Sequence, residues 1–367
     1  MKRFIVLFCA VLLFLPLFAC SESINLTDEE KWEALTSDSI GTVDIIPEKT
    51  KTALNPLTGE YKMAQDRVGM RPFGISVNNV VDTWPQSGIA AADIVIEFET
   101  EGGITRLMCL YSDIREIPLI GSVRSLRHTQ IEAIYQIDPI IVHIGTSIYA
   151  DKAIAEYGMR TIDGDLVPGA IYLLKDRRAK GYDSEHCKYS SGSLIGDAVE
   201  ELGINKASKS KTETFFKFAS LEESVSPSGG AASKVVFRYS NNAYDGDFRY
   251  DEATKTYLKY QRNDAQLDVG EGSDNTQLAF KNVLVLFAEI NPIPGTANPV
   301  LMDIVYENGG KGYFFTDGRY EEITWTKSSH TNNFSFKKSD GTELILNAGK
   351  TMLSVVSNKY EDTFAIT

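Results

Sequence analysis

Between residues 93 and 143 the sequence gathers side chains that can move a proton or hold an anion: Glu97, Glu101, Arg106, Arg124, Arg127 and His143. Glu97 and Glu101 are a carboxylate pair of the sort that cleaves a glycosidic bond, one as acid and the other as base or nucleophile. The three arginines work against that use, because a neighbouring guanidinium favours the charged carboxylate and lowers its pKa. Arg124-Ser125-Leu126-Arg127 sets two guanidinium groups three residues apart, on one face if a helix has begun there. That spacing suits bidentate capture of a carboxylate or phosphate. The candidate catalytic residues are therefore Glu97, Glu101 and His143, and the candidate ligand-binding residues are Arg106, Arg124, Arg127 and His186. A second reading of the same side chains is a set of ion pairs that fasten loops at a sheet edge. His143, set in Ile140-Ile141-Val142-His143-Ile144, also fits a hydrogen-bonded core histidine. His186 lies in Asp183-Ser184-Glu185-His186-Cys187-Lys188-Tyr189, a loop rich in proton-transfer groups. Adjacent side chains in an extended loop point apart, so Cys187 and His186 do not read as a catalytic dyad. No Cys/His spacing suggests a metal, and no cofactor motif is present.

These residues need elements to position them. Phe73-Gly74-Ile75-Ser76-Val77 reads as a buried strand leaving through Asn78-Asn79, and Trp84-Pro85-Gln86-Ser87-Gly88 as a turn. Strand-like runs follow over 93–98, 104–111, 118–123 and 140–144, with helical patterns over 126–136, 147–157 and 192–203, the last closed by Gly203. In the strand over 93–98 alternation places Asp93, Val95 and Glu97 on one face and Ile94 and Ile96 on the other. Glu101-Gly102-Gly103 then turns the chain into the strand carrying Arg106. After a Ser/Gly/Pro-rich stretch over 224–233 the text becomes almost all strand, with Asp317-Gly318 and Asp340-Gly341 as hairpin turns. The fold expected is α+β: a mixed α/β sheet domain over 55–222, then a β-rich domain over 234–367, sandwich or barrel-like.

Ahead of these, Lys2 and Arg3, an apolar run from Phe4 to Leu17, and Ala19 before Cys20 form a secretory signal of the lipoprotein kind over residues 1–19. Cys20 is then the lipidation site, its acyl chains anchoring the protein at the outer face of the cytoplasmic membrane. The alternative is an uncleaved signal anchor, but the apolar run is shorter than the ~20 residues of a spanning helix. Residues 20–54 read as an acidic spacer. The whole chain carries a formal charge of −13, which loss of Lys2 and Arg3 takes to −15, so nucleic acid is not an expected partner. Cys109 and Cys187 remain, one in an apolar strand and one in a polar loop, and read as two free thiols.

Several strings together resemble one family. Asn55-Pro56-Leu57-Thr58-Gly59, Arg71-Pro72, Asn78-Asn79, Pro85-Gln86-Ser87-Gly88, Glu101-Gly102-Gly103-Ile104-Thr105-Arg106 and Gly121-Ser122-Val123-Arg124-Ser125-Leu126-Arg127 resemble the YerB-like bacterial lipoproteins. So do Asn282-Val283-Leu284-Val285 and Lys350-Thr351 in the second half. The resemblance implies a two-domain envelope lipoprotein whose characteristic polar positions fall on Glu97, Glu101, Arg106, Arg124, Arg127 and His143. Departures occur at Gly145-Thr146-Ser147, in the Glu185–Tyr189 loop, at Met352 and at Gln266. The function expected is binding of an anionic cell-wall glycan or phosphate group at the membrane surface. The alternative is a protein-interaction lipoprotein in which the Arg/Glu cluster is scaffold.

Overall fold

The computed structural model describes residues 46–209, 214–241, 244–269, 275–297 and 299–367. The signal segment 1–19, the Cys20 lipidation site and the spacer up to residue 45 lie outside the described residues. No helix among the described residues is long and apolar enough to cross a membrane.

A ten-stranded mixed sheet organises the chain. In chain order its strands are β1 (Phe73–Asn78), β2 (Ile94–Glu101), β3 (Ile104–Tyr111), β4 (Ile140–His143), β5 (Ile162–Asp163), β6 (Asn282–Ala288), β7 (Gly310–Thr316), β8 (Arg319–Thr326), β9 (Ser335–Lys338) and β10 (Thr351–Ser357). Their order across the sheet is β9-β8-β7-β6-β10-β2-β3-β1-β4-β5. β10 runs parallel to both β6 and β2 and so joins the strands of the first segment, β1–β5, to those of the second, β6–β9, in one sheet. The fold is α+β, with a mixed sheet in the first segment and a β-rich second segment.

The chemistry of each strand fixes its face. Ile94, Ile96 and Phe98 of β2, with Met108 and Leu110 of β3, join one core with Ile131 and Ile134 of helix α1 (His128–Ile134). Ala150 and Ala153 of α2 (Ile148–Glu156) enter the same core. Ser147 caps α2, its hydroxyl accepting from the Ala150 amide at 3.2 Å, which satisfies one of the four orphan donors of a helix start. α3 (Lys175–Ala179) and α4 (Gly192–Glu201) complete the helices among the described residues. On the opposite face a smaller sheet, which includes Lys234–Arg238, Asp245–Asp251 and Thr256–Gln261, packs aromatic rings onto the main one, as in the Tyr257–Phe315 contact at 6.1 Å.

Turn chemistry follows the sequence closely. β7 and β8 are joined by Asp317-Gly318, both at positive φ (50° and 70°), the conformation a two-residue primed hairpin requires. Helix α1 is shorter than its pattern: it begins at His128 and passes into a 3₁₀ turn over Tyr135–Ile137. Arg127 is thus its N-cap and Arg124 precedes it, so the two guanidinium groups do not share a helical face.

Candidate functional site

β1, β2, β4 and β5 run in the same direction, β2 because both it and β1 pair antiparallel with β3. Their carboxyl ends bring Asn78, Glu101, His143 and Asp163 to one edge of the sheet, where open α/β sheets collect their ligand-binding groups. Arg106, near the start of the antiparallel β3, joins them there. The loop 121–127 crosses this edge, the Arg124 amide donating to Ser76 O at 2.8 Å.

The two glutamates part company. Glu97 stands opposite Leu107 and Phe98 opposite Arg106, so Glu97 and Arg106 lie on opposite faces. A bulge between Glu99 and Glu101 shifts the register and brings Glu101 opposite Ile104, on the Arg106 face. Glu97 and Glu101 therefore do not flank one substrate, and the paired-carboxylate arrangement for glycoside cleavage is absent between them.

Glu101 instead closes a buried ion triad. Arg127 grips it through Nε to Oε2 at 2.6 Å and Nη2 to Oε1 at 2.8 Å, and Arg106 reaches Oε1 through Nη2. All three residues are more than nine-tenths buried. Burial, reinforced by the neighbouring Arg127 charge, pushes the Arg106 guanidinium below its ordinary pKa. The bidentate geometry uses the carboxylate oxygens that hold these arginines in place, so Arg106 and Arg127 have little left to offer a ligand.

Glu97 is held on the other face. Its Oε1 accepts from Asn79 Nδ2 at 2.7 Å and Thr105 Oγ1 at 2.8 Å, and its Oε2 lies 3.0 Å from Lys259 Nζ. Gln266 donates through Nε2 to Asn79 Oδ1 at 2.9 Å, tying the second segment to the same network. Lys259 was not singled out by sequence. The available signal was alternation: Tyr257, Lys259 and Gln261 share the buried face of their strand, placing a lysine where an apolar residue is expected.

His143 is a core histidine. Its Nδ1–H donates to Gly145 O at 3.0 Å, and its Nε2 accepts from Thr161 Oγ1 at 2.9 Å. Burial holds its pKa below the ordinary histidine value. The accessible part of the edge is Arg124, Glu185 and His186. Arg124 Nη1 contacts the backbone oxygen and Oε2 of Glu185, each at 3.1 Å. Glu185 is in turn 3.2 Å from His186 Nε2, and Asn78 Nδ2 donates to His186 Nδ1 at 2.9 Å. Burial and the Arg124 charge both keep the His186 pKa below its ordinary value. His186 is thus a neutral imidazole near pH 7, accepting at Nδ1 and donating at Nε2. The Glu185 side chain is 58% exposed.

Another titratable cluster lies apart from this edge; His330, whose Ser/Thr/Asn loop reads as simply solvated, meets two carboxylates there. His330 Nδ1 stands 3.4 Å from Glu132 Oε1 and 3.0 Å from Glu307 Oε1, while His128 Nε2 is 3.1 Å from Asp303 Oδ1. Burial first, then the Asp303 and Glu307 charges, pushes Glu132 up to about 8. Burial draws the nearby Lys327 down to about 8. Among the described residues no group of three or more His, Cys, Asp or Glu side chains is arranged to hold a metal ion. Cys109 and Cys187 are both free and buried.

The family model described as protein of unknown function (DUF3048), N-terminal domain, matches residues 57–205, and the corresponding C-terminal domain matches residues 235–353. The chain is 28% identical over 314 residues to "Putative lipoprotein YerB" of Bacillus subtilis (strain 168), covering 85% of this chain and 89% of that protein. It is also similar to the crystal structure of the YerB protein from Bacillus subtilis. The TM-score is 0.72 at 26% identity, over 86% of this chain and 99% of that one.

Proposed function

We propose, starting from a chain that belongs to the DUF3048 family of YerB-like lipoproteins, that it is anchored through Cys20 at the outer face of the cytoplasmic membrane. There it binds an anionic cell-envelope group, a glycan carboxylate or a phosphate, through Arg124 and His186. The observation that carries this reading is the pairing of Arg124 with a carboxylate on a mostly exposed loop residue, Glu185. A phosphate offers the same guanidinium more charge and one more acceptor oxygen than a carboxylate does, so it can replace the exposed Glu185 at small cost. His186 stands beside that position, with its Nε2–H available once Glu185 moves. Arg106, Arg127 and Glu101 support the loop that carries Arg124 and take no part in the chemistry.

The test is thermal melting of the protein with undecaprenyl-pyrophosphate glycans, teichoic acid and peptidoglycan fragments. A rise with at least one of these, lost in Arg124→Ala while the ligand-free melting point holds, is the expected result. No rise with any of the three overturns it. The closed Glu101–Arg106–Arg127 triad favours a second reading, a protein-docking lipoprotein without a small ligand, and that reading takes over if melting is unmoved.

A further inference from the structure

The segment leading into β1 carries an unusual surface. Leu54, Tyr61, Val68 and Met70 are all exposed large apolar residues within seventeen positions, Leu54 at 49% and Val68 at 59%. Leu54, Val68 and Met70 line one groove of about 290 Å³ together with Pro56, Met63 and Pro72. The groove is braced by its own chain. Ala53 and Met63 exchange backbone hydrogen bonds at 2.9 and 3.1 Å, the Met70 amide donates to Arg67 O at 3.0 Å, and Arg67 Nε donates to Ser112 O at 3.0 Å. Apolar side chains held in the open on a braced loop offer a small contact surface.

Its position says what covers it. Pro72 directly precedes β1, Ile137 precedes β4 and Ser112 follows β3, so the groove sits at the amino edge of the parallel strands. Arg124, Glu185 and His186 occupy the opposite, carboxyl edge. The sequence reaches the groove at Leu54, 34 residues after Cys20, so the tether enters the fold beside the patch.

We infer that this groove is a membrane-contact surface: Leu54, Val68 and Met70 insert among the lipid headgroups and turn the carboxyl edge away from the bilayer. The inference rests on the anchoring read from Cys20. Insertion of this kind is driven by apolar area and needs no anionic lipid, which agrees with the net negative charge of the chain.

Fluorescence quenching tests it. The lipidated full-length chain, carrying Val68→Trp or, as a control, Leu166→Trp at an exposed position just beyond the carboxyl end of β5, is floated with phosphatidylcholine vesicles whose acyl chains are brominated. The expected result is a roughly twofold loss of the added emission for Val68→Trp and little loss for Leu166→Trp, the wild-type chain giving the baseline. Co-flotation with Val68→Trp as bright as Leu166→Trp overturns the inference alone. Failure to co-float overturns the anchor and the inference with it. A Val68→Trp emission that shifts with protein concentration in the absence of vesicles identifies a second copy as the occupant and also overturns it.

Discussion

Glu97 and Lys259 face each other at 3.0 Å with side-chain exposures of 0% and 1%, one from β2 and one from the smaller sheet packed against it. Each has given up its water, and the Coulomb attraction between them offsets that loss only while both are present. Lys259→Met or Glu97→Gln alone is expected to destabilise by about 3–5 kcal/mol, because the surviving partner is left buried and uncompensated. The double variant should recover most of that loss in a urea titration. Equal, additive losses would mean that the two side chains act independently.

Arg127→Ala should lower stability far more than Arg124→Ala. Arg127 loses a buried bidentate carboxylate, whereas Arg124 loses an ion pair to an exposed one, worth about 0–1 kcal/mol. Chemical denaturation of the two variants side by side decides it, and equal losses would contradict the burial difference.

Stability should fall as the pH rises from about 4.5 to about 8. Glu132 binds its proton more tightly folded than unfolded, its pKa raised from 4.5 to about 8, so the favourable contribution is complete below 4.5 and gone above 8. Lys327 has the opposite sign: its pKa is depressed from 10.5 to about 8, so its contribution is present above 10.5 and lost as pH falls through 8. Unfolding free energies measured across pH should therefore dip near pH 8, with Glu132→Gln flattening the lower limb and Lys327→Met the upper.

Cys109 and Cys187 should resist a thiol reagent in the native protein. Both are fully buried, and burial pushes both thiols above the ordinary cysteine pKa. Peptide mapping after labelling with and without denaturant checks this. Rapid native labelling of Cys109 would mean that the β3 strand opens.

Much of this architecture was legible in the residues. β1, β2 and β3, helices α2 and α4, the Asp317-Gly318 hairpin and the gathering of charged groups at one sheet edge all follow from local periodicity and turn chemistry. What escaped depends on distant partners. The bulge at Glu99/Glu101, which sends Glu101 across the sheet from Glu97, has no marker in a run of alternating side chains. The lysine that meets Glu97 lies 162 positions away. Arg124 and Arg127 look like neighbours on a helix, yet α1 starts one residue later and sends them to different partners. The Glu132–His330 contact likewise joins segments that sequence spacing cannot bring together.

β10, formed by residues 351–357 of a 367-residue chain, is a central strand of the main sheet and separates the strands of the first segment from those of the second. During synthesis, β2 emerges some 250 residues before the strand that pairs with its outer edge. The edge of β2 therefore stays open until residues 351–357 have been made. Closure of the main sheet thus waits on one distant segment: a chain cut before Thr351 leaves both β2 and β6 without their shared parallel partner, however well the earlier strands form.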